Sequence, residues 1–171
     1  MLKTDNIRLR KVEPKDLPFL YRWENDTQAW TSGDTHNPLS QKDLRDYLTS
    51  STGDIYKDGQ LRLIMETTDP EPYILGCIDL YDFNPHHGKA AVGIYVDDTV
   101  RKKGVGKVAL ELLEDYSFGF LHLQMLYAFI ASSNEASHRL FLSRGWQHTA
   151  TLPCWLGSES AGLWQKMFPA G

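Results

Sequence analysis

Between an apolar run, Ala90 to Val96, and a helical pattern that starts at Val105 lies the stretch Arg101-Lys102-Lys103-Gly104-Val105-Gly106-Lys107. No other feature restricts the fold as tightly, because a strand, a basic glycine-bearing loop and a helix in succession form an anion cradle. Glycine lets the backbone turn with its N–H groups facing inward, the helix start adds the positive end of its dipole, and flanking cations raise the local potential. A phosphate or pyrophosphate suits such a loop. The helix is well marked: Val105, Val108, Ala109, Leu112, Leu113 and Tyr116 recur at the 3.6-residue period as one apolar face, with the glycines at its first turn.

A lone Gly-x-Gly is more often only a solvated, basic loop between a strand and a helix, so other segments have to decide. Two phosphate motifs fail. A P-loop aligned on Gly106-Lys107 would put its first glycine on Arg101 and its magnesium-binding hydroxyl on Val108. A Rossmann fingerprint tolerates Ala109 as its third small residue, but its first glycine would follow a basic tripeptide, and no βαβ unit with an acidic ribose ligand accompanies it. Nucleotide hydrolysis and dinucleotide-dependent dehydrogenation are thereby set aside.

Arg101-x-x-Gly104-x-Gly106 resembles the pyrophosphate-binding motif of the GNAT family of N-acetyltransferases, in which Gln or Arg, then Gly, then Gly or Ala stand at this spacing. Downstream, Ala131 to Trp146 is similar to that family's second signature: a strand end, Asn134 opening a helix, an aromatic at Phe141, then Gly145 with Trp146. Local propensities agree, since Asn is a good N-cap, Ala136, Leu140 and Phe141 share a short helix, and Gly145 supplies the residue that ends it. The signatures stand in the right order, separated by a helix and the strand Met125 to Ala131. Gly76 to Ile94 is also similar to the hairpin of the branch that holds ribosomal-protein N-terminal and spermidine acetyltransferases, and the resemblance runs from Ile7 to about Phe168.

The resemblance implies an α+β fold, a mixed α/β sandwich whose central, mostly antiparallel sheet splays at the cofactor strand, with helices on both faces. It implies acetyl-coenzyme A as co-substrate and transfer of the acetyl group to a primary amine, on a peptide or protein N-terminus or on a polyamine-like small molecule, by direct attack on the thioester. Backbone N–H groups from about Lys102 to Lys107, including Gly104, Val105 and Gly106, would hold the pyrophosphate, and Arg101, Lys103 and Lys107 would add charge. Exposed backbone groups at Ile94, Tyr95 and Val96 would pair with the pantetheine arm, one N–H polarising the thioester carbonyl. Asn134 would bond the pantetheine, cap its helix, or do both. Beside the cofactor, where the family often carries a tyrosine that protonates the departing thiolate, this sequence has Phe141. A thiol pKa of about 8.5 makes thiolate a tolerable leaving group, so the change lowers rate without abolishing reaction, and Tyr95, Tyr127 or water stand as substitutes. Phe141 also keeps open a catalytically weak acyl-coenzyme A-binding module, and a phosphate-binding scaffold without coenzyme A is a third reading.

At 171 residues and 42% hydrophobic, the chain has neither linker nor repeat, and one domain over residues 1–171 is expected. Such a length buries about 70% of the unfolded surface. A formal net charge of −4 argues against a general nucleic-acid partner. Cys77 and Cys154 share no C-x-x-C spacing, so neither a disulfide framework nor a metal site is expected. The opening Met1 to Asn6 is polar and no apolar run reaches membrane-spanning length, from which a cytoplasmic protein without membrane contact is expected.

Ile7 to Val12 reads as a first strand, and Pro14 starts a helix through Leu17, Leu20 and Tyr21. Ser40 with Asp43 is an Asp variant of the capping box, followed by Leu44, Tyr47 and Leu48 as a buried face. Leu61 to Thr67 and Tyr73 to Phe83 are strands around the turn Asp69 to Pro72, Asn84 to Gly88 is the next turn, and Gln147 to Leu152 and Gly162 to Phe168 are strands separated by a loop at Gly157 to Ser160.

An amine with pKa near 10 is mostly protonated at neutral pH, so the reaction needs a base, directly or through water. Asp79 and Asp82 on the middle hairpin are the catalytic candidates, on opposite faces if the strand stays regular, with His86 and His87 in the turn as alternatives. By the resemblance, the acceptor lies against Tyr21 to Trp30, where Trp23 and Trp30 flank Glu24 and Asp26 and would enclose a cationic amine by cation–π and ion-pair contacts. Core packing of Trp23 and solvation of Glu24 are the competing readings. Trp155 either closes the far side of that pocket or lies at a subunit interface, which leaves a homo-oligomer open.

Overall fold

The computed structural model describes residues 2–30 and 35–168. Strand β1 (Ile7–Lys11) buries its alternate residues Ile7 and Leu9, and Pro14 opens a 3-10 turn, Pro14–Asp16, ahead of α1 (Leu17–Glu24). The buried pair on α1 is Leu20 with Trp23, one helical turn apart; Tyr21, expected on that face, points to solvent. A short α2 (Thr27–Trp30) precedes α3 (Gln41–Ser50). At the start of α3 the Ser40 hydroxyl accepts the Asp43 N–H at 3.1 Å while the Asp43 carboxylate accepts the Ser40 N–H at 2.8 Å, which satisfies two first-turn donors at once. One further turn, α4 (Ile55–Asp58), lies between the Asp54 cap and Gly59.

The remaining elements are β2 (Leu61–Thr67), β3 (Ile74–Asn84), β4 (Lys89–Val96), α5 (Val105–Asp115), β5 (Met125–Ala131), α6 (Glu135–Ser143), β6 (Gln147–Leu156) and β7 (Glu159–Met167). They build a seven-stranded sheet in the order β1-β2-β3-β4-β5-β7-β6. Every neighbouring pair is antiparallel except β4 with β5, which is parallel and holds only for Lys89 to Ala91 against Met125 to Tyr127. Beyond that point the strands part, β4 staying paired with β3 and β5 with β7. The sheet is therefore mixed, mostly antiparallel, and splayed at β4.

Strand alternation sends Ile64 and Cys77 to one face, where Leu20, Trp23 and Leu44 of α1 and α3 cover them, and sends Leu63, Met65, Ile78 and Leu80 to the other, under Leu110 and Leu113 of α5 and Phe141 of α6. Each such buried aliphatic contributes roughly 1.5–3 kcal/mol, and this packing rather than helix propensity fixes helices of such length. Two expectations are corrected at the strands. β6 does not end at Leu152 but runs to Leu156 and turns through Gly157 and Ser158 directly into β7, Leu156 pairing with Glu159. β3 is not regular, because its register with β4 shifts between Tyr81 and Asn84. Among the described residues no helix is long and apolar enough to cross a membrane.

Candidate active site

The parting of β4 and β5 opens a cavity of about 820 Å³, walled by both strands, one face of α6, the start of β2, the later half of β3, and the end of β6. The loop that follows β4 and precedes α5 holds two left-handed residues, Lys102 at φ 64° and Gly104 at φ 77°. Turns of this kind gather successive N–H groups into a concave array, and the first-turn donors of Val105, Gly106 and Lys107 have no intrahelical acceptors. The two glycines serve different needs. A Cβ on Gly104 would meet nothing within 4 Å, so the demand there is conformational. Gly106 has an ordinary helical backbone, and a Cβ on it would lie 3.2 Å from Leu140 Cδ2 and 3.6 Å from Ile94 Cδ1, so the demand is for close approach of α5 to α6 and β4.

Lys102, Lys103 and Lys107 are exposed beside this loop. Arg101 is folded back: its Nε donates to the Val96 carbonyl at 3.0 Å, its Nη1 meets Asp98 at 2.7 Å, and its guanidinium lies 5.7 Å from the centre of the Tyr95 ring. Backbone donors, exposed lysines and a strand edge without a partner from Val92 to Val96 suit an anionic ligand with a peptide-like arm, so the residues present fit coenzyme A. Ile94 and Val96 pack toward α5, whereas Tyr95 faces α1, where its hydroxyl donates to Asp26 at 3.3 Å. Burial, then the Asp26 charge, push the Tyr95 hydroxyl up to about 12, and its side chain is not among the groups lining the cavity. Tyr127 is half-buried, and burial together with Asp82 raises its pKa. Asn134 does cap α6, its Oδ1 accepting the Ser137 N–H at 3.1 Å, and it lines the cavity as well. Phe141 is 2% exposed, stands edge-on to Trp146 at 4.7 Å, and forms part of the cavity wall.

The carboxylate-bearing wall of the cavity is built by β2, β3 and α1. At the β3 irregularity Asp82 takes φ 46°, and this bulge re-aims it. Asp79 and Asp82, expected on opposite faces, therefore line the same cavity. Opposite Asp79 on β2 stands Arg62, which sequence patterning does not single out. Its guanidinium forks onto Asp79, Nε to Oδ1 at 3.0 Å and Nη2 to Oδ2 at 2.8 Å, and its Nη1 donates to Glu24. Burial opposes the Arg62 charge, but the carboxylates of Asp79 and Glu24 more than offset it and hold its pKa well above the ordinary value. Among the described residues, the charged groups lining the cavity are thus Glu24, Asp79 and Asp82 against Arg62, a net charge of −2.

The expected aromatic and acidic cage around an amine does not form. Trp23 is 4% exposed in the core under α1, because it lies one turn from Leu20, and its indole N–H donates to Asp97 at 3.0 Å. Asp26 receives the Gln28 N–H at 3.0 Å and the Tyr95 hydroxyl, and the Trp30 indole donates to the Glu24 carbonyl at 2.8 Å; neither residue lines the cavity. Only Glu24 of that group does. His86 and His87 meet edge to face with ring centres 4.6 Å apart in the hairpin turn, outside the cavity. On the opposite wall Trp155, 53% exposed, stacks on Phe129 at 5.2 Å. Among the described residues no group of three or more His, Cys, Asp or Glu side chains is placed to share a metal ion.

Residues 6–147 match the family profile described as an acetyltransferase (GNAT) domain. Among curated proteins, the spermidine N(1)-acetyltransferase of Escherichia coli (strain K12) is 23% identical over 148 residues, covering 85% of this chain and 75% of that protein. The spermidine N(1)-acetyltransferase of Vibrio cholerae serotype O1 is 24% identical over 135 residues, covering 79% of this chain and 75% of that protein. Among solved structures, a spermidine N-acetyltransferase from Vibrio cholerae in complex with CoA and spermine has the same fold, with a TM-score of 0.83 over 96% of each chain at 20% identity.

Proposed function

This chain belongs to the GNAT acetyltransferase family and is an acetyl-coenzyme A-dependent N-acetyltransferase, and we propose that its acceptor is the primary amine of a polyamine-like cation held in the cavity between β4 and β5. The observation that carries this reading is the charge of that cavity, three carboxylates against one guanidinium among the described residues. The curated relatives named for spermidine acetylation point the same way.

Acetyl-coenzyme A supplies the acetyl group as a thioester, an ester already activated toward an amine. The chain's own residues do the rest, on one domain. Backbone donors of the loop and first turn of α5 bind the pyrophosphate, with exposed Lys102, Lys103 and Lys107 adding charge, and the free edge of β4 at Ile94 to Val96 binds and orients the arm. Arg101 acts through the end of β4 rather than on phosphate. Asn134 faces the arm while capping α6, and Phe141 walls the cavity without supplying a proton. At the acceptor end the net negative field draws in the ammonium form. Asp79 and Glu24 are locked by Arg62 and hold position, whereas Asp82, without an ion-pair partner among the described residues, receives the amine's proton through water.

Thiol release from acetyl-coenzyme A in the presence of spermidine, spermine, monoamines of matched length and peptide N-termini tests the proposal. The polyamines should exceed the monoamines in kcat/KM by at least roughly tenfold, the equivalent of about 1.4 kcal/mol from one further cation contact. Equal rates for polyamines and monoamines would remove the charge of the cavity as the selecting feature, and preferential turnover of peptides would move the acceptor to the other branch.

A further inference from the structure

Asp97, the residue after β4, is 6% exposed and carries a carboxylate with donors on two sides. Its Oδ2 accepts the Trp23 indole N–H at 3.0 Å and the guanidinium of Arg22, adjacent residues at the end of α1. Its Oδ1 accepts the Thr99 N–H at 3.1 Å and the Thr99 hydroxyl at 2.8 Å, which caps the 3-10 turn Asp98–Val100 leading into Arg101. The same segments meet again two residues earlier in the strand, where the Tyr95 hydroxyl reaches Asp26, the Tyr95 ring lies 5.5 Å from that of Trp23, and Arg101 lies over Tyr95. Between Trp23 and Asp26 stands Glu24, the α1 carboxylate that lines the acceptor cavity.

A buried carboxylate costs several kcal/mol unless hydrogen bonds and a counter-charge offset it. Here burial pushes the Asp97 carboxyl up, and the bonds from Trp23 and Thr99 with the Arg22 charge more than compensate, leaving it below the usual carboxylate range. All four donors come from two places, the end of α1, which carries Glu24, and the turn that leads into the loop before α5. We propose that Asp97 is a positioning residue that ties the coenzyme A loop to the end of α1, so that occupancy of the loop orders the segment presenting Glu24. This rests on the cofactor part of the reading above and not on the identity of the acceptor.

Hydrogen exchange followed by mass spectrometry, with coenzyme A alone as the probe, tests the coupling. In the unaltered protein coenzyme A should slow exchange both in residues 101–107 and in residues 22–30. In Asp97→Asn, which keeps the shape and removes the charge, protection of 101–107 should remain while the coenzyme-dependent protection of 22–30 is lost. A merely structural carboxylate would loosen 22–30 with and without coenzyme alike. If Asp97→Asn does not fold or does not bind coenzyme A, Arg22→Ala replaces it, a change at a side chain 61% exposed that should at least halve the protection of 22–30. Absence of coenzyme-dependent protection at 22–30 in the unaltered protein, or its persistence undiminished in the variant measured, overturns the proposal.

Discussion

At position 141 a buried phenylalanine ring, on the helix that Asn134 caps, forms part of the cavity wall. Phe141→Tyr retains the ring and its edge contact with Trp146, so the fold should survive. Steady-state kinetics should show kcat unchanged, or raised where thiolate departure limits the rate. A loss of order tenfold, about 1.4 kcal/mol, would mean that the new hydroxyl is buried without a partner and that the position cannot host an acid. Arg62 teaches a second lesson at this scale. Its meaning depends on Asp79, seventeen positions away in sequence and directly opposite it across the β2–β3 ladder, so nothing local distinguishes it from a solvated strand arginine.

Among the elements, the loop and first turn of α5 separate backbone requirements from side-chain charge. Gly104→Val forces a β-branched residue to φ 77°, which costs about 1–3 kcal/mol, and calorimetry should show coenzyme A affinity reduced roughly tenfold. Gly106→Val should lower both affinity and melting temperature, because its side chain enters the seam with Leu140. Lys102→Ala should change affinity less than either, and equal effects of all three would count against a backbone cradle. Elements of this kind were legible in sequence because their signals are local: the apolar face of α5, the Ser40–Asp43 box, the Asn134 cap and the strand β4 all stand close to where patterning puts them. What escaped has non-local causes or too few residues. α4 has four residues, Pro153 and Gly157 make the end of β6 read as loop although Leu156 pairs with Glu159, and the bulge that turns Asp82 into the cavity exists only against β4. In sequence Trp23 stands either as part of an amine cage, by the resemblance, or as core, and the fold realises the second.

For the molecule as a whole, two of the four carboxylates buried among the described residues, Asp16 and Asp97, set the acid limit. Asp16 accepts both terminal nitrogens of Arg10 at 2.8 Å and the Glu13 N–H at 2.8 Å. Burial raises its pKa, but those bonds outweigh burial and leave it depressed, as at Asp97. A depressed folded pKa means that the unfolded chain takes up the proton first on acidification, so the stability these groups contribute is complete above the unfolded value of about 3.9 and disappears as pH falls through the folded values. Urea midpoints should therefore stay level from neutral pH to about 5 and fall below about 4. A steep fall already between pH 7 and about 6 would assign the limit to histidines instead.

The parting of β4 from β5 also makes the sheet resemble a book. One cover is β1 to β4, the other β5, β7 and β6, and the spine is the short parallel pairing of Lys89–Ala91 with Met125–Tyr127. With the pantetheine arm lying along Ile94 to Val96 as proposed, the coenzyme continues the spine where the protein's own stitching stops. The donor molecule is then a page that helps bind the volume, and each release of product returns the covers to the hold of a short spine and the helices laid across it.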